Sequence, residues 1–344
     1  ELRDAGALPL AEIPAFAAGI LAEADSLLIV CNKKNEAAGI LRAMETLGCQ
    51  CFHLSAAMCM AHRRAVLSEM EAALERLRRE PGAGHKVVCV STQVIEAGVD
   101  ISFARVIRLL AGKDNVVQSA GRCNRNGESG TPVPVFALNC ADEPLAHLPD
   151  IQRAKNAALE LLAEFRRAPE EFDGSLTSNA AIRFYYHWLF QKELQDIQDG
   201  PVLAEGRKTS LFALLSANDD FVDAKACPDC RKYLLAQAFR TAGKAFSVFG
   251  GDTADVLVPY GEGKKLILAL GELRPPYDLP QVQALLEKAK PYTVSVYPWQ
   301  KEALENRRAL IPLCGGSILA LQEGYYDPVI GLTEQQGDLP FQEV

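Results

Sequence analysis

Long hydrophobic runs are missing from this sequence. No stretch approaches the roughly 18 uninterrupted apolar residues that a membrane-spanning helix requires. The N-terminus has neither a basic region nor a small-residue cleavage site, and the two absences together predict a cytoplasmic protein. Internal repeats and low-complexity linkers are also lacking. Basic charge is in deficit: 36 Lys+Arg face 44 Asp+Glu, a net charge of −8. Residues 1–140 carry 15 of each sign and the remainder 21 basic against 29 acidic. This excludes a broad phosphate-gripping surface in the second half, so any nucleic acid would be held locally by the first. The ten cysteines are scattered through apolar segments such as those of Cys31, Cys89 and Cys140, in a chain far too long for a stapled mini-domain, and reduced, mostly buried thiols are expected. Cys227 and Cys230 form a C-x-x-C pair without a second pair at suitable spacing, and a tetrahedral zinc site needs four ligands. No metal is expected to be bound by this chain.

What is present is a regular alternation of short apolar runs and helical text. SLLIVC (26–31), CQCFHL (49–54), KVVCVS (86–91), ARVIRLLA (104–111) and TPVPVFALNC (131–140) read as strands. Between them lie helical stretches ending at Gly48, at Glu80 and near Gly121. Such text predicts an α/β fold, a parallel sheet with helices on both faces. The 344 residues suit about two cores. The opening ELRDAGALPLAEIPAF reads as the approach to a helix in a piece of a longer polypeptide. After Pro149 come two helical stretches, IQRAKNAALELLAEFRR and SNAAIRFYYHWLFQKELQDI, then a polar loop region. FSVFG, ADVLVPY, YTVSVY and SILAL then read as strands of a small α+β domain around a helical QVQALLEKAK. The expected division is 1–145 for the sheet domain, 146–225 for a helical linker region and 226–344 for an accessory domain.

In an open parallel sheet, ligands sit at the carboxyl ends of the strands, where the loops after Cys31, Val90 and Leu110 converge. The stretch STQVIEAGVDISF…QSAGRCNRNGE lies there. Thr92 offers a hydroxyl suited to a nucleic-acid phosphate. Asp100 offers a carboxylate for a ribose hydroxyl or for an arginine. Arg122 and Arg125 are three residues apart, one helical turn, and are expected to point the same way. Paired guanidiniums match the spread negative charge of a phosphoryl group in transfer.

KVVCVSTQVIEAGVDISF followed by QSAGRCNRNGE resembles motifs V and VI of superfamily 2 helicases, and the wording resembles the CRISPR-associated helicase-nuclease of type I interference systems. HLSAAMCMAHRRAVLSEM ahead of it and the motif IV-like SLLIVCNKKNEA agree, collinear over about residues 20–140. The resemblance implies a second RecA-like helicase lobe followed by a C-terminal domain. It makes Arg122 and Arg125 arginine fingers and Gln118 a nucleotide contact, with Gly98 and Asp100 in the turn that coordinates ATP. Thr92, Gln93, Asn32 and Ser55 would lie near single-stranded DNA, with Arg63 a further candidate. One departure is visible: Ser119 stands where many superfamily members have Arg, as in Gln-Arg-x-Gly-Arg.

An ATP-driven helicase also needs a phosphate cradle, and G-x-x-x-x-G-K-[ST] does not occur. AGKD at Ala111 and AGKA at Ala242 lack its first glycine and its hydroxyl. Asp142-Glu143 mimics a magnesium-binding box but follows the finger motif instead of preceding it. His53, His62, His85, His147 and His187 are dispersed, so no two-metal nuclease cluster is legible. The family reading therefore puts the first helicase lobe and the nuclease domain elsewhere. ATP and Mg²⁺ would be shared with that missing lobe, and this chain alone is expected not to hydrolyse ATP. The implied partners are single-stranded DNA, the missing N-terminal lobe and nuclease, and an RNA-guided surveillance complex. The alternatives are a non-catalytic fragment docking on DNA or on that complex, and the C lobe of another superfamily 2 translocase. The aromatic run Phe184–Trp188 is expected to be core with one exposed edge, and Arg76–Arg79 a solvated helix end.

Overall fold

A computed structural model describes residues 1–80, 84–96, 98–127, 129–146, 148–199, 201–222, 229, 236–246 and 253–334. Cys227, Cys230, His147 and most of the expected FSVFG strand lie outside the described residues. Two compact units form, one from Glu1–Ala158 with Asp252–Val344 and one from Leu159–Gly251. This grouping differs from the three-way division expected above, since the C-terminal segment is built onto the lobe.

The lobe centres on a six-stranded sheet of β1 (Leu2–Leu8), β2 (Ser26–Val30), β3 (Gln50–Leu54), β4 (Val87–Ser91), β5 (Arg105–Leu109) and β6 (Val135–Cys140). The strand order is β1-β6-β5-β2-β4-β3, every pair parallel. The central strands are mainly apolar because both faces are covered, with Arg108 of β5 the buried exception. Leu27, Ile29 and Cys31 pack on one face against Ile13, Ala17 and Leu21 of α1 (Ile13–Ala22) and Ile40, Leu41 and Met44 of α2 (Lys34–Glu45). Leu28 and Val30 face the other way, onto Met70, Ala73 and Leu74 of α3 (Met60–Arg79). A short α4 (Lys113–Ala120) follows β5.

The opening residues lead into α1, as the sequence reading expected, but they first form a strand that it did not name. They form β1 beside β6, with a bulge between Asp4 and Ala7. Gly6 sits there at φ +78° and donates its N–H to Asp4 Oδ1 at 2.9 Å. A left-handed residue held by the preceding aspartate is turn chemistry that interrupts a helix.

Helix α5 (Pro149–Arg167) carries the chain into the second unit. That unit contains α6 (Asn179–Asp199), a hairpin of β7 (Pro201–Ala204) and β8 (Arg207–Ser210), α7 (Leu211–Leu215) and α8 (Phe239–Ala245). The hairpin occupies part of the expected polar loop. On α6, Tyr185 is buried and Phe184 half-buried, while Tyr186, Trp188 and Phe190 are exposed, more than the single expected edge. Tyr186 and Phe190 stack at 5.5 Å, as i,i+4 neighbours on one face do.

The first unit resumes with a second sheet of β9 (Ala254–Leu257), β10 (Thr293–Val296), β11 (Leu310–Leu313) and β12 (Ile318–Leu321), in the order β10-β9-β12-β11. Only β9 and β12 are parallel. Helices α9 (Glu262–Glu272) and α10 (Leu279–Ala289) cover one face, through Leu266, Leu270 and Leu285, and α11 (Pro298–Asn306) follows β10. The other face packs on Ala57 and Cys59, just before α3. There Gly331, at φ +85°, lies so close to the lobe backbone that an added Cβ would stand 2.4 Å from the Ala57 carbonyl oxygen.

Candidate functional site

Strands β2, β3 and β4 end side by side and bring four of the expected DNA contacts together. The Thr92 N–H donates to the Leu54 carbonyl at 2.9 Å, one residue before Ser55, and the Cys31 N–H donates to the Ser91 carbonyl at 2.8 Å, one residue before Thr92. Gln93 Nε2 reaches the Asn32 carbonyl at 3.4 Å. The side chains differ in what they can offer. Ser55, Thr92 and Asn32 are buried, and Gln93 is half-buried. The Asn32 amide is spent internally, donating to Glu143 Oε1 at 2.9 Å and to the Leu110 carbonyl at 3.1 Å. Arg63 is half-buried in the first turn of α3.

The expected nucleotide-facing residues gather around a loop stitched to the β4–β5 connection. Phe103 N–H donates to the Arg122 carbonyl and Asn124 N–H to the Phe103 carbonyl, both at 2.9 Å, and Arg125 N–H donates to Ser102 Oγ at 3.0 Å. Gly98 is exposed at φ +72°, the left-handed conformation that a side chain resists. Asp100 and Gln118 are exposed.

The two arginines do not share one helix face, because α4 ends at Ala120 and both follow it. Arg122 turns inward: it is 7% exposed, and its Nε and Nη2 donate to the carbonyls of Ile95 and Glu96 at 3.0 and 2.8 Å. Burial, followed by the neighbouring Arg125 charge, pushes its pKa below the usual arginine range. Arg125 remains at the rim, its Nε 2.6 Å from Asp100 Oδ1, the side chains 39% and 83% exposed. Carbonyl acceptors and the end of the helix separate what residue spacing alone made a pair.

Sequence reasoning missed the densest polar cluster in the lobe. Arg108, in the middle of the sheet on β5, is fully buried. Its Nε donates to Glu96 Oε1 at 2.8 Å and its Nη1 to Asn32 Oδ1 at 2.7 Å and the Leu109 carbonyl at 2.6 Å. Glu96 also accepts from Ser119 Oγ and Asn115 Nδ2, each at 3.0 Å. On the far side of Asn32, Glu143 is held by Lys155 Nζ at 2.9 Å. The available signal was the arginine in the interior of an apolar strand that opens on Arg105, since a buried charge requires a partner.

The HLSAAMCMAHRR run also has a structural role that its text did not disclose. Tyr326 Oη accepts from the Cys59 N–H at 3.2 Å and lies 3.0 Å from His62 Nδ1. His62 stacks on Tyr260 with ring centroids 4.2 Å apart, and burial lowers its pKa. The run therefore anchors the second sheet to the lobe. Among the described residues, no three His, Cys, Asp or Glu side chains stand together as metal ligands, and no helix is long and apolar enough to cross a membrane.

Comparison with known proteins agrees with this architecture. Residues 23–128 match the family described as CRISPR-associated nuclease/helicase Cas3, C-terminal. The CRISPR-associated nuclease/helicase Cas3 of Haloferax volcanii is 36% identical over 127 residues, 31% of this chain and 13% of that protein. The crystal structure of T. fusca Cas3-ATP matches with a TM-score of 0.56 at 16% identity, over 96% of this chain and 42% of that one. A structure described as a CRISPR RNA-guided surveillance complex, pre-nicking, matches with a TM-score of 0.51 at 16% identity, over 96% and 44%. The chain thus spans less than half the length of these solved structures. At that identity they establish the fold alone, an α/β RecA-like lobe with a C-terminal domain. The family match over residues 23–128 likens that motif-bearing segment to the C-terminal portion of the CRISPR-associated nuclease/helicase Cas3, and the fold of the chain agrees with it.

Proposed function

We propose that this chain supplies the second motor lobe of an ATP-dependent single-stranded DNA translocase whose nuclease and first helicase lobe are separate domains. The observation that carries the reading is Arg125, held at the rim by Asp100, two residues after exposed Gly98. An exposed carboxylate is an exchangeable partner for a guanidinium, so Arg125 can leave Asp100 for a triphosphate arriving from the opposite lobe. Arg122, bound to the Ile95 and Glu96 carbonyls, fixes the loop from which Arg125 reaches. In this reading Arg125 is the finger and Arg122 its footing.

An exposed guanidinium, a carboxamide and a glycine backbone suit an anionic polyphosphate. When bound, ATP supplies the phosphoryl group to be transferred and Mg²⁺ neutralises charge on it. The protein ligands for that ion would come from the first lobe. Thr92, Gln93 and Ser55 would border the DNA backbone at the neighbouring strand ends. Asn32 would act from beneath through its carbonyl, which already holds Gln93. Recruitment by an RNA-guided surveillance complex is proposed on the family likeness.

The test is DNA-stimulated ATP hydrolysis by the polypeptide that joins this chain to its first lobe. Arg125→Ala is expected to lower kcat by roughly 10³-fold or more, and this chain alone is expected to hydrolyse none. A wild-type rate in Arg125→Ala, or hydrolysis by the isolated chain, overturns the reading.

A further inference from the structure

Ser119 occupies the position where the superfamily pattern Gln-Arg-x-Gly-Arg carries its first arginine. Its hydroxyl ends on Glu96 Oε1 at 3.0 Å. The same oxygen accepts from Arg108 Nε at 2.8 Å, from the neighbouring strand β5. A long cationic side chain at 119 and the one at 108 would therefore compete for a single carboxylate. This chain has one of them. We infer that Arg108 is a relocated positioning residue: from β5 it supplies the guanidinium that the finger motif lacks at 119, and through Glu96 it holds the loop that presents Arg125.

The connectivity supports this. Glu96 is the junction of four hydrogen bonds: its carboxylate holds β5 through Arg108 and α4 through Ser119 and Asn115, while its carbonyl accepts from Arg122 Nη2 at 2.8 Å. Arg108 also grips Asn32 Oδ1 at 2.7 Å, so one guanidinium ties the finger loop to the strand end that carries the proposed DNA contacts. Glu96 is 7% exposed and Arg108 fully buried. An ion pair so enclosed is strongly disrupted when one partner is removed, because the other is left charged and unpaired. Lysine does not replace it, since a single ammonium lacks the planar fork that serves Glu96 and Asn32 together. Arg108 touches no reacting atom, and its role is positional.

The functional half of this inference rests on the helicase reading above, while the relocation itself does not. The experiment is a double-mutant cycle with Arg108→Met and Ser119→Arg in the longest natural polypeptide containing this chain. Unfolding midpoints are read alongside kcat and KM for DNA-stimulated ATP hydrolysis. Ser119→Arg is expected to lower the midpoint in the wild-type background, where two guanidiniums face one carboxylate, and to raise it in the Arg108→Met background. Arg108→Met is expected to lower kcat at least tenfold with KM for ATP within about twofold, and the double variant to recover most of kcat. Equal effects of Ser119→Arg in both backgrounds overturn the relocation, whatever the ATPase shows. So does a double variant that fails to fold or, where the wild type hydrolyses ATP, stays as inactive as the single one. If Arg108→Met alone does not fold, recovery of fold and rate in the double variant carries the inference. A wild type without DNA-stimulated hydrolysis, combined with the expected midpoint cycle, refutes the helicase reading and keeps the relocation.

Discussion

Replacing each finger-motif arginine by alanine should separate folding from chemistry. Arg122 is 7% exposed and donates two charge-assisted hydrogen bonds to backbone carbonyls at 3.0 and 2.8 Å. Hydrogen bonds to charged groups contribute about 1.5–3 kcal/mol each, so Arg122→Ala should cost about 3–6 kcal/mol, a large share of the roughly 5–15 kcal/mol that stabilises a typical domain. Arg125 pairs with Asp100 at 2.6 Å, but both side chains are substantially exposed. Such a pair is worth about 0–1 kcal/mol. Urea denaturation of the two variants, with the slope checked for constancy, measures the difference directly. The expected result is a clearly lowered midpoint for Arg122→Ala and a near-native one for Arg125→Ala, with hydrolysis lost in the stable variant. Should Arg125→Ala prove the more destabilising of the two, the division into footing and finger is wrong.

Two further outcomes are expected. Gly331→Ala combines a left-handed φ of +85° with a Cβ 2.4 Å from the Ala57 carbonyl oxygen; the conformational cost alone is about 1–2 kcal/mol, and amide exchange over residues 326–332 should accelerate while that of β2 and β4 stays slow. Burial and the nearby Glu143 charge raise the Glu36 pKa to about 7. A carboxyl that binds its proton more tightly folded than unfolded contributes stability at low pH that is lost as pH climbs from about 4.5 to about 7. Glu36→Gln should remove that decline, and identical pH profiles for the two proteins would refute it.

Much of the lobe was legible because a parallel sheet covered on both faces leaves little freedom: SLLIV and VVCVS are mainly apolar on both faces, RVIRL is so apart from its two arginines, and the helices between them are amphipathic. The strand β1 was not, because an edge strand bears charged residues such as Arg3 and Asp4 and its signature is blurred by the Gly6 bulge. At the site, the sequence offered Asp100 either a ribose hydroxyl or an arginine, and the structure pairs it with Arg125. Spacing misjudged Arg122, since three residues make one helical turn only where the helix continues, and α4 stops at Ala120. Arg108 could be flagged as a charge in an apolar strand, yet its partners are 12 and 76 residues away, and nothing local encodes such distances. The anchoring of His62 by Tyr326, 264 residues on, lies beyond local pattern for the same reason.

That anchor has a mechanical consequence. Tyr326 meets Cys59 and His62 at the entrance to α3, and Gly331 leaves no gap above Ala57. The hairpin of Tyr326–Asp327 and Gly331–Leu332, which shares a core with the second sheet, thus closes on the lobe with no room for an added atom. A load on this C-terminal segment therefore has a direct path, through Tyr326 and His62, to the helix that backs β2.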